Sequence, residues 1–233
     1  MFNLCRSVPL LLCLALTFAP LSASAELNLE GLTGHTEVIS TTDITPRLGI
    51  QTSRSNEVPL FAALSALSGR EAVDYQREHG IEDPSVLISQ LIGRRLGELK
   101  SLPVRQSDDE LGHGDSYMQN RVRRPEDIAQ AHGPNKLVVS GSTQKWSFAK
   151  FATKYQLQLI ANVQIVDTNT GKRLEREDCI TPLRRADAPE IAILLEDNAS
   201  ALKAELDYGA RYCAGKIANE LFGDPEDIFL DRQ

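Results

Sequence analysis

Between residues 155 and 165 the chain alternates: Tyr155, Leu157, Leu159, Ala161, Val163 and Ile165 fall on one side, and Gln156, Gln158, Asn162 and Gln164 on the other. A period of two sustained over that length predicts a strand with one buried and one wetter face. Upstream, Leu137-Val138-Val139 opens a strand that continues through Gly141 to Trp146 and Phe148, with a turn near 150–154. Downstream, Asp167-Thr168-Asn169-Thr170-Gly171 has the chemistry of a hairpin turn, with Gly171 free to take a positive φ. A third strand follows from Lys172 to about Ile180, so the three form an antiparallel meander.

Elsewhere the spacing changes to threes and fours. Asp83 can cap a helix and Pro84 suits its first position; Ile88, Leu91, Ile92, Arg95, Leu96 and Leu99 then make one stripe, with Arg94 and Glu98 off it. This helix should end near Lys100, before a short strand at Leu102-Pro103-Val104-Arg105 that the proline assigns to a sheet edge. A last helix is predicted from roughly Asp197 to Phe222, with Leu202, Leu206, Gly209, Cys213, Ile217 and Leu221 facing inward. The remaining segments are less regular. Residues 26–46 read as a polar extended arm or an irregular strand, 48–52 as a strand, Val58 to Leu67 as helix-like, 106–125 as a long mobile loop and 225–233 as a tail. The expected fold class is α/β: helices packed on a mostly antiparallel mixed sheet, in one domain over 47–224.

The N-terminus bears on compartment. Arg6, the apolar stretch Val8 to Ala19, and Ala23-Ser24-Ala25 before Glu26 form the three-part pattern of a cleavable signal peptide. The alternative is a retained anchor helix, but the apolar stretch falls short of the about 20 residues that a bilayer requires. Cleavage after Ala25 would remove Cys5 and Cys13 and leave Cys179 and Cys213. An even pair in an exported chain reads as one disulfide, with two buried thiols as the alternative. If the last helix crosses the meander, Cys213 can reach Cys179 on its third strand. A periplasmic chain with no transmembrane segment after cleavage is therefore expected. The formal net charge of −7, from 25 Lys and Arg against 32 Asp and Glu, argues against a nucleic-acid partner, which would demand a basic surface.

Motifs of catalysis are not found. Thr170-Gly171-Lys172 resembles the end of a phosphate loop, but Val166 stands where its first glycine belongs and Arg173 where Ser or Thr is required. Ser140-Gly141-Ser142 lacks the nucleophile-elbow pattern. His113 lies beside the acidic run Ser107-Asp108-Asp109-Glu110, which reads as a solvated loop more readily than as a metal site. No catalytic, metal or cofactor residue is therefore assigned. Trp146, Phe148 and Phe151, with the basic run Arg121, Arg123 and Arg124, are the candidate binding surface for a partner protein, lipid or glycan. The competing reading puts the aromatics in the core beneath a helix.

The order of helix, strand, long loop, short helix, meander and C-terminal helix, with Val139-Ser140-Gly141-Ser142-Thr143 and Val166-Asp167-Thr168-Asn169-Thr170-Gly171, is similar to the periplasmic α/β domains of CsgG-type curli-secretion lipoproteins and LpoB-type penicillin-binding-protein activators. The likeness covers about residues 48–222, and this chain has no lipidated cysteine. The resemblance implies a non-enzymatic accessory or assembly role in the cell envelope, exerted through protein contacts. Two alternatives stand beside it. A carrier of an apolar envelope ligand would show a deep groove near Trp146 and Phe151. A hydrolase would bring His113 or His132 beside Ser140 and a carboxylate.

Overall fold

The computed structural model describes residues 27–43, 49–51, 76–107, 123–151, 154–182 and 191–230. The expected leader, the stretch from Val58 to Leu67 and residues 108–122 lie outside the described residues. In chain order the elements are β1 (Glu37–Thr42), β2 (Gly49–Gln51), α1 (Pro84–Lys100), β3 (Val104–Gln106), α2 (Pro125–His132), β4 (Lys136–Phe151), β5 (Lys154–Asp167), β6 (Lys172–Ile180) and α3 (Ile191–Phe222). They make an α/β fold on one mixed sheet of order β3-β1-β4-β5-β6, with β2 paired to the far half of β4. β4, β5 and β6 are the predicted antiparallel meander. β1 runs parallel to both of its neighbours, β3 and β4.

Of the two readings of residues 26–46, β1 realises the strand. Only Val38 and Ile39 are strongly apolar in Glu37–Thr42, so the alternation is faint; both are nonetheless fully buried, because the strand lies inside the sheet. Leu27, upstream of it, is buried as well, and its amide bonds the Leu221 carbonyl at 3.0 Å.

α1 starts as predicted. The Asp83 side chain accepts the Ser85 amide at 2.8 Å, and Pro84 occupies the first turn. Its apolar residues Ile88, Leu91, Ile92 and Leu96 are buried, whereas Leu99, expected on the same stripe, is 38% exposed. A second stripe of small residues, Ser85, Ser89, Gly93 and Gly97, lies along the line where helix and sheet meet. A side chain at Gly141 on β4 would come within 2.8 Å of the Ser85 carbonyl, one at Gly93 would strike Ser40 on β1, and one at Gly97 would strike Val104 on β3. Small residues every fourth position thus let α1 cross three strands at close range.

α3 covers β5 and β6 and packs along α1. The predicted inward face is buried throughout: Leu202, Leu206, Cys213, Ile217 and Leu221 are at most 4% exposed. A short helical segment from Ile191 precedes the predicted helix and is divided from it by a kink at Glu196–Ala199, where Asp197, Asn198 and Ala199 take left-handed φ values of 48, 58 and 57°. Residues 225–230 are not a free tail. Gly215 leaves room for the Glu226 carbonyl, Asn219 Nδ2 donates to the Asp224 carbonyl at 2.6 Å, and Phe229 packs on the core. Arg95 of α1 donates twice to the Asp224 carboxylate, at 2.7 Å each, and so ties α1 to the end of α3.

Cys179 on β6 and Cys213 on α3 form the predicted disulfide, with Cα atoms 5.4 Å apart and both residues buried. With 34 residues of sequence separation, the chain-entropy relation assigns it about 4 kcal/mol. At the opposite end of β6, Asp167 organises the hairpin. It accepts the Asn169 amide and the Thr170 hydroxyl at 2.9 Å, and His35 Nε2 lies 2.9 Å from the same carboxylate. Burial alone would raise this carboxyl, but His35, the Asn169 amide and Thr170 together outweigh it and hold Asp167 below its ordinary value of 3.8.

Two outcomes follow. Cys179→Ala should lower the melting temperature by about 10 °C in oxidising buffer, with the gap closing in excess reductant; a gap of equal size in reductant would contradict a formed disulfide. Because the folded Asp167 value is depressed, its contribution is present above pH 3.8 and is lost as pH falls through the lower folded value. Asp167→Asn should therefore cost stability at pH 7, with a smaller cost near pH 3 in chemical denaturation. A cost independent of pH would show that charge plays no part at this position.

Candidate functional site

The sheet has two unlike faces. α1 and α3 cover the apolar one. On the other, α2 covers only one end, where Ile128 packs against Ile39, Val138 and Val166. α2 itself, a short helix started by Pro125 with Glu126 and Asp127 in its first turn, suits the dipole rule for acidic residues at an N-terminus.

Beyond α2 the second face is polar: Thr41, Ser140 and Gln164 lie in one cross-strand row and Ser142 with Asn162 in the next. The wetter face predicted for β5 is polar, but it is not exposed. Gln164 is 0% and Asn162 1% accessible. Ser142 donates to Asn162 Oδ1 at 3.1 Å, while Thr41 Oγ1, Ser147 Oγ, Asn162 Nδ2 and Gln164 Oε1 make no hydrogen bond to protein groups.

Asp43, just past the end of β1, sits over this row and is buried. Its carboxylate accepts the Arg123 amide at 3.1 Å and the Ser140 hydroxyl at 3.2 Å, and Gln164 Nε2 donates to the Arg123 carbonyl at 3.0 Å. The segment entering α2 is thereby stitched to the sheet. Burial pushes the Asp43 carboxyl up from 3.8, and the Arg123 amide, Ser140 and the Arg123 guanidinium pull it only part of the way back.

A buried carboxyl beside a serine hydroxyl invites a catalytic reading, but the geometry describes polar packing. Ser140 donates to Asp43, and both are enclosed. His132 lies at the end of α2, where its carbonyl accepts Lys136 Nζ at 2.7 Å. Ser140 stands four residues beyond Lys136, about 13 Å along an extended strand. His113 lies outside the described residues. Among the described residues no group of three His, Cys, Asp or Glu side chains forms a metal cluster.

The candidate binding surface is rearranged. Trp146 and Phe148 are 1% and 0% exposed, within the core under the helices. The reason is a β-bulge between Thr143 and Lys145. Counted from Leu137 and Val139, Trp146 falls on the outer face; the extra residue turns it inward. Arg123 meets the opposite face of the sheet, so the described structure does not bring it together with these aromatics. The Arg124 side chain is exposed and pairs with Asp127 through two 3.0 Å hydrogen bonds. Phe151 ends β4, but its side chain, like Arg121, lies outside the described residues.

A feature that the sequence reading passed over is a cleft at the other end of the meander. Gln156, Leu157 and Pro182 face Glu205, Tyr208 and Tyr212, which share one side of α3. Gly209 makes it possible, since a side chain there would strike Leu157. The spacing 205, 208, 212 was the available signal, but nothing in it points to the strand that completes the cleft.

No protein-family model and no curated protein matches the chain. Among solved structures it is similar to the hypothetical protein CT253 of Chlamydia trachomatis, at 11% identity and TM-score 0.37, covering 81% of this chain and 99% of that one. It is also similar to a PelC dodecamer from Paraburkholderia phytofirmans, at 11% identity and TM-score 0.33, covering 82% and 91%. A third likeness is to lipoprotein GNA1162 of Neisseria meningitidis, at 13% identity and TM-score 0.26, covering 68% and 90%. Likenesses at these scores place no function on this chain.

The Asp43 environment makes a signed prediction. With its folded value raised, ionisation costs stability, so the loss begins as pH climbs above 3.8 and is complete beyond the raised value. An asparagine can accept the Arg123 amide and donate to Ser140 without charge. Asp43→Asn should therefore be more stable than the parent at pH 7 and equal to it near pH 3. A destabilised variant at pH 7 would show that the carboxylate is needed.

Proposed function

We propose that the protein is a non-enzymatic, exported accessory or assembly factor that acts in the periplasm through protein–protein contacts in the cell envelope. The observation that carries this reading is the buried Cys179–Cys213 disulfide, a bond suited to an oxidising compartment. The signal-peptide pattern of residues 1–25 agrees with it. Among the described residues no helix is long and apolar enough to cross a membrane. The resemblance to CsgG-type and LpoB-type domains supports an accessory role.

The sheet supplies surface for such contacts. β3 and β6 are its edges, and Val104 and Ile180, at 42% and 58% exposure, stand on them. Charged residues at 172–173 and 175–178 on β6 discourage indiscriminate strand pairing, so a partner has to match them. The carrier reading loses its support near Trp146, because that ring is buried in the core.

Crosslinking in intact cells followed by affinity purification of the tagged full chain tests the reading. Recovery of one envelope protein at near-stoichiometric yield, together with loss of the leader, is the expected outcome. Recovery of the tagged chain from the cytoplasm with its leader intact would overturn it.

A further inference from the structure

The pattern of the chain and the course of α3 disagree at one place. Ile191, Leu195, Ala199, Leu202 and Leu206 follow one another by fours and a three, the spacing of a single apolar stripe on an unbroken helix. From Ile191 to Tyr208 there is neither proline nor glycine, the residues that most often kink a helix. The helix nevertheless breaks. Glu196 is extended, with ψ of 163°, and Asp197, Asn198 and Ala199 follow it in the left-handed region.

Left-handed backbone is strained for residues with a Cβ and is met singly rather than in runs. Aspartate and asparagine tolerate it better than most; Ala199 has no polar side chain to ease it. Burial supplies the compensation. Leu194, which lies off the stripe, is 1% exposed and Ala199 0%, and both belong to the core that holds Leu202. Asn198 Oδ1 also meets His79 Nδ1 at 2.7 Å, which ties the kink to the chain before α1. Tertiary contacts thus impose the kink against the local preference of its residues, and a conflict of that kind brings a second arrangement within reach.

We propose that Ile191–Glu196 is a strap with two settings: the kinked one of this structure, and a straight one in which α3 runs unbroken, 197–199 relax to right-handed backbone and Leu194 leaves the core. In the straight setting Ile191 and Leu195 extend the stripe of Leu202 and Leu206. A partner that holds this longer helix would draw the protein into that setting. The proposal concerns an equilibrium of the fold itself, and it stands or fails independently of the accessory role.

Electron-spin distance measurement tests it, on the protein expressed from its full chain with the disulfide intact and with spin labels carried by keto amino acids at Ala192 and Asp207. Unbroken helix would separate these two positions by about 22 Å along its axis. The parent should show a main distance from the kinked form and a minor population at the straight-helix value. Asp197→Ala with Asn198→Ala places the best helix former at two exposed, strained positions. This pair should raise the straight population about tenfold relative to the kinked one. Asp197→Gly with Asn198→Gly frees the left-handed backbone and should deplete the straight population. Leu194→Ala removes part of what the kink buries and should enrich it. Melting curves identify any variant that has lost its fold, and the surface pairs at 197 and 198 serve where Leu194→Ala does. A single distance shared by the parent and every folded variant would overturn the proposal. Alanine and glycine pairs that move the populations in the same direction would overturn it as well.

Discussion

The packing of α3 across β5 and β6 is the contact on which the rest of this molecule depends. Leu157, Leu159, Ala161, Val163 and Ile165 offer an apolar strip that α3 covers with Leu202, Leu206, Ala210, Ala214, Ile217 and Leu221. Each large side chain buried in this way contributes about 1.5–3 kcal/mol, against about 1–2 kcal/mol for every backbone residue held in place. β6 has little of its own to bury: along Lys172–Ile180 only Cys179 is fully enclosed, and it is the residue bonded to α3. The edge strand is therefore held by its ladder to β5 and by one covalent bond through the seam.

The other half of the sheet is organised by close approach. Ser85, Ser89, Gly93 and Gly97 bring α1 down onto β4, β1 and β3, and the doubly bonded Arg95–Asp224 pair fixes α1 to the end of α3. With both helices committed to one face, the second face is left to α2 and to a row of buried polar groups. Asp43 ties the chain entering α2 to that row, at the expense of a carboxyl held above its ordinary value. The Tyr208–Tyr212 cleft lies on the α3 side, where a glycine in the helix replaces bulk with space.

Much of this was legible in the chain. The alternation at 155–165, the Asp83-Pro84 start and the turn at Asp167–Gly171 are local signals that the fold obeys, and the cysteine count anticipated the disulfide. Three features were legible only in part, each for a physical reason. β1 carries only two strong apolar residues, because α1 crosses it at close range, with Gly93 against Ser40. Trp146 and Phe148 lie in the core, as the competing reading had it, but the bulge that turns them inward leaves no mark in composition. The polar side chains of β5 read as solvent-facing, yet Gln164 and Asn162 are enclosed, which alternation alone does not reveal. Of the candidate surface, Trp146 and Phe148 lie in the core, and among the described residues Arg124 is exposed. The cleft went unread because its two walls, 156–157 with 182 and 205–212, are far apart in the chain.

Hydrogen exchange of the oxidised and the reduced protein, compared amide by amide, tests the role of the α3 seam most directly. Reduction should speed exchange in β6 and in the second half of α3 around Cys213, while β1, β3 and α1 stay nearly as protected as before. Equal loss of protection across all strands, or no change in β6, would contradict the seam as the contact that holds the edge of the fold.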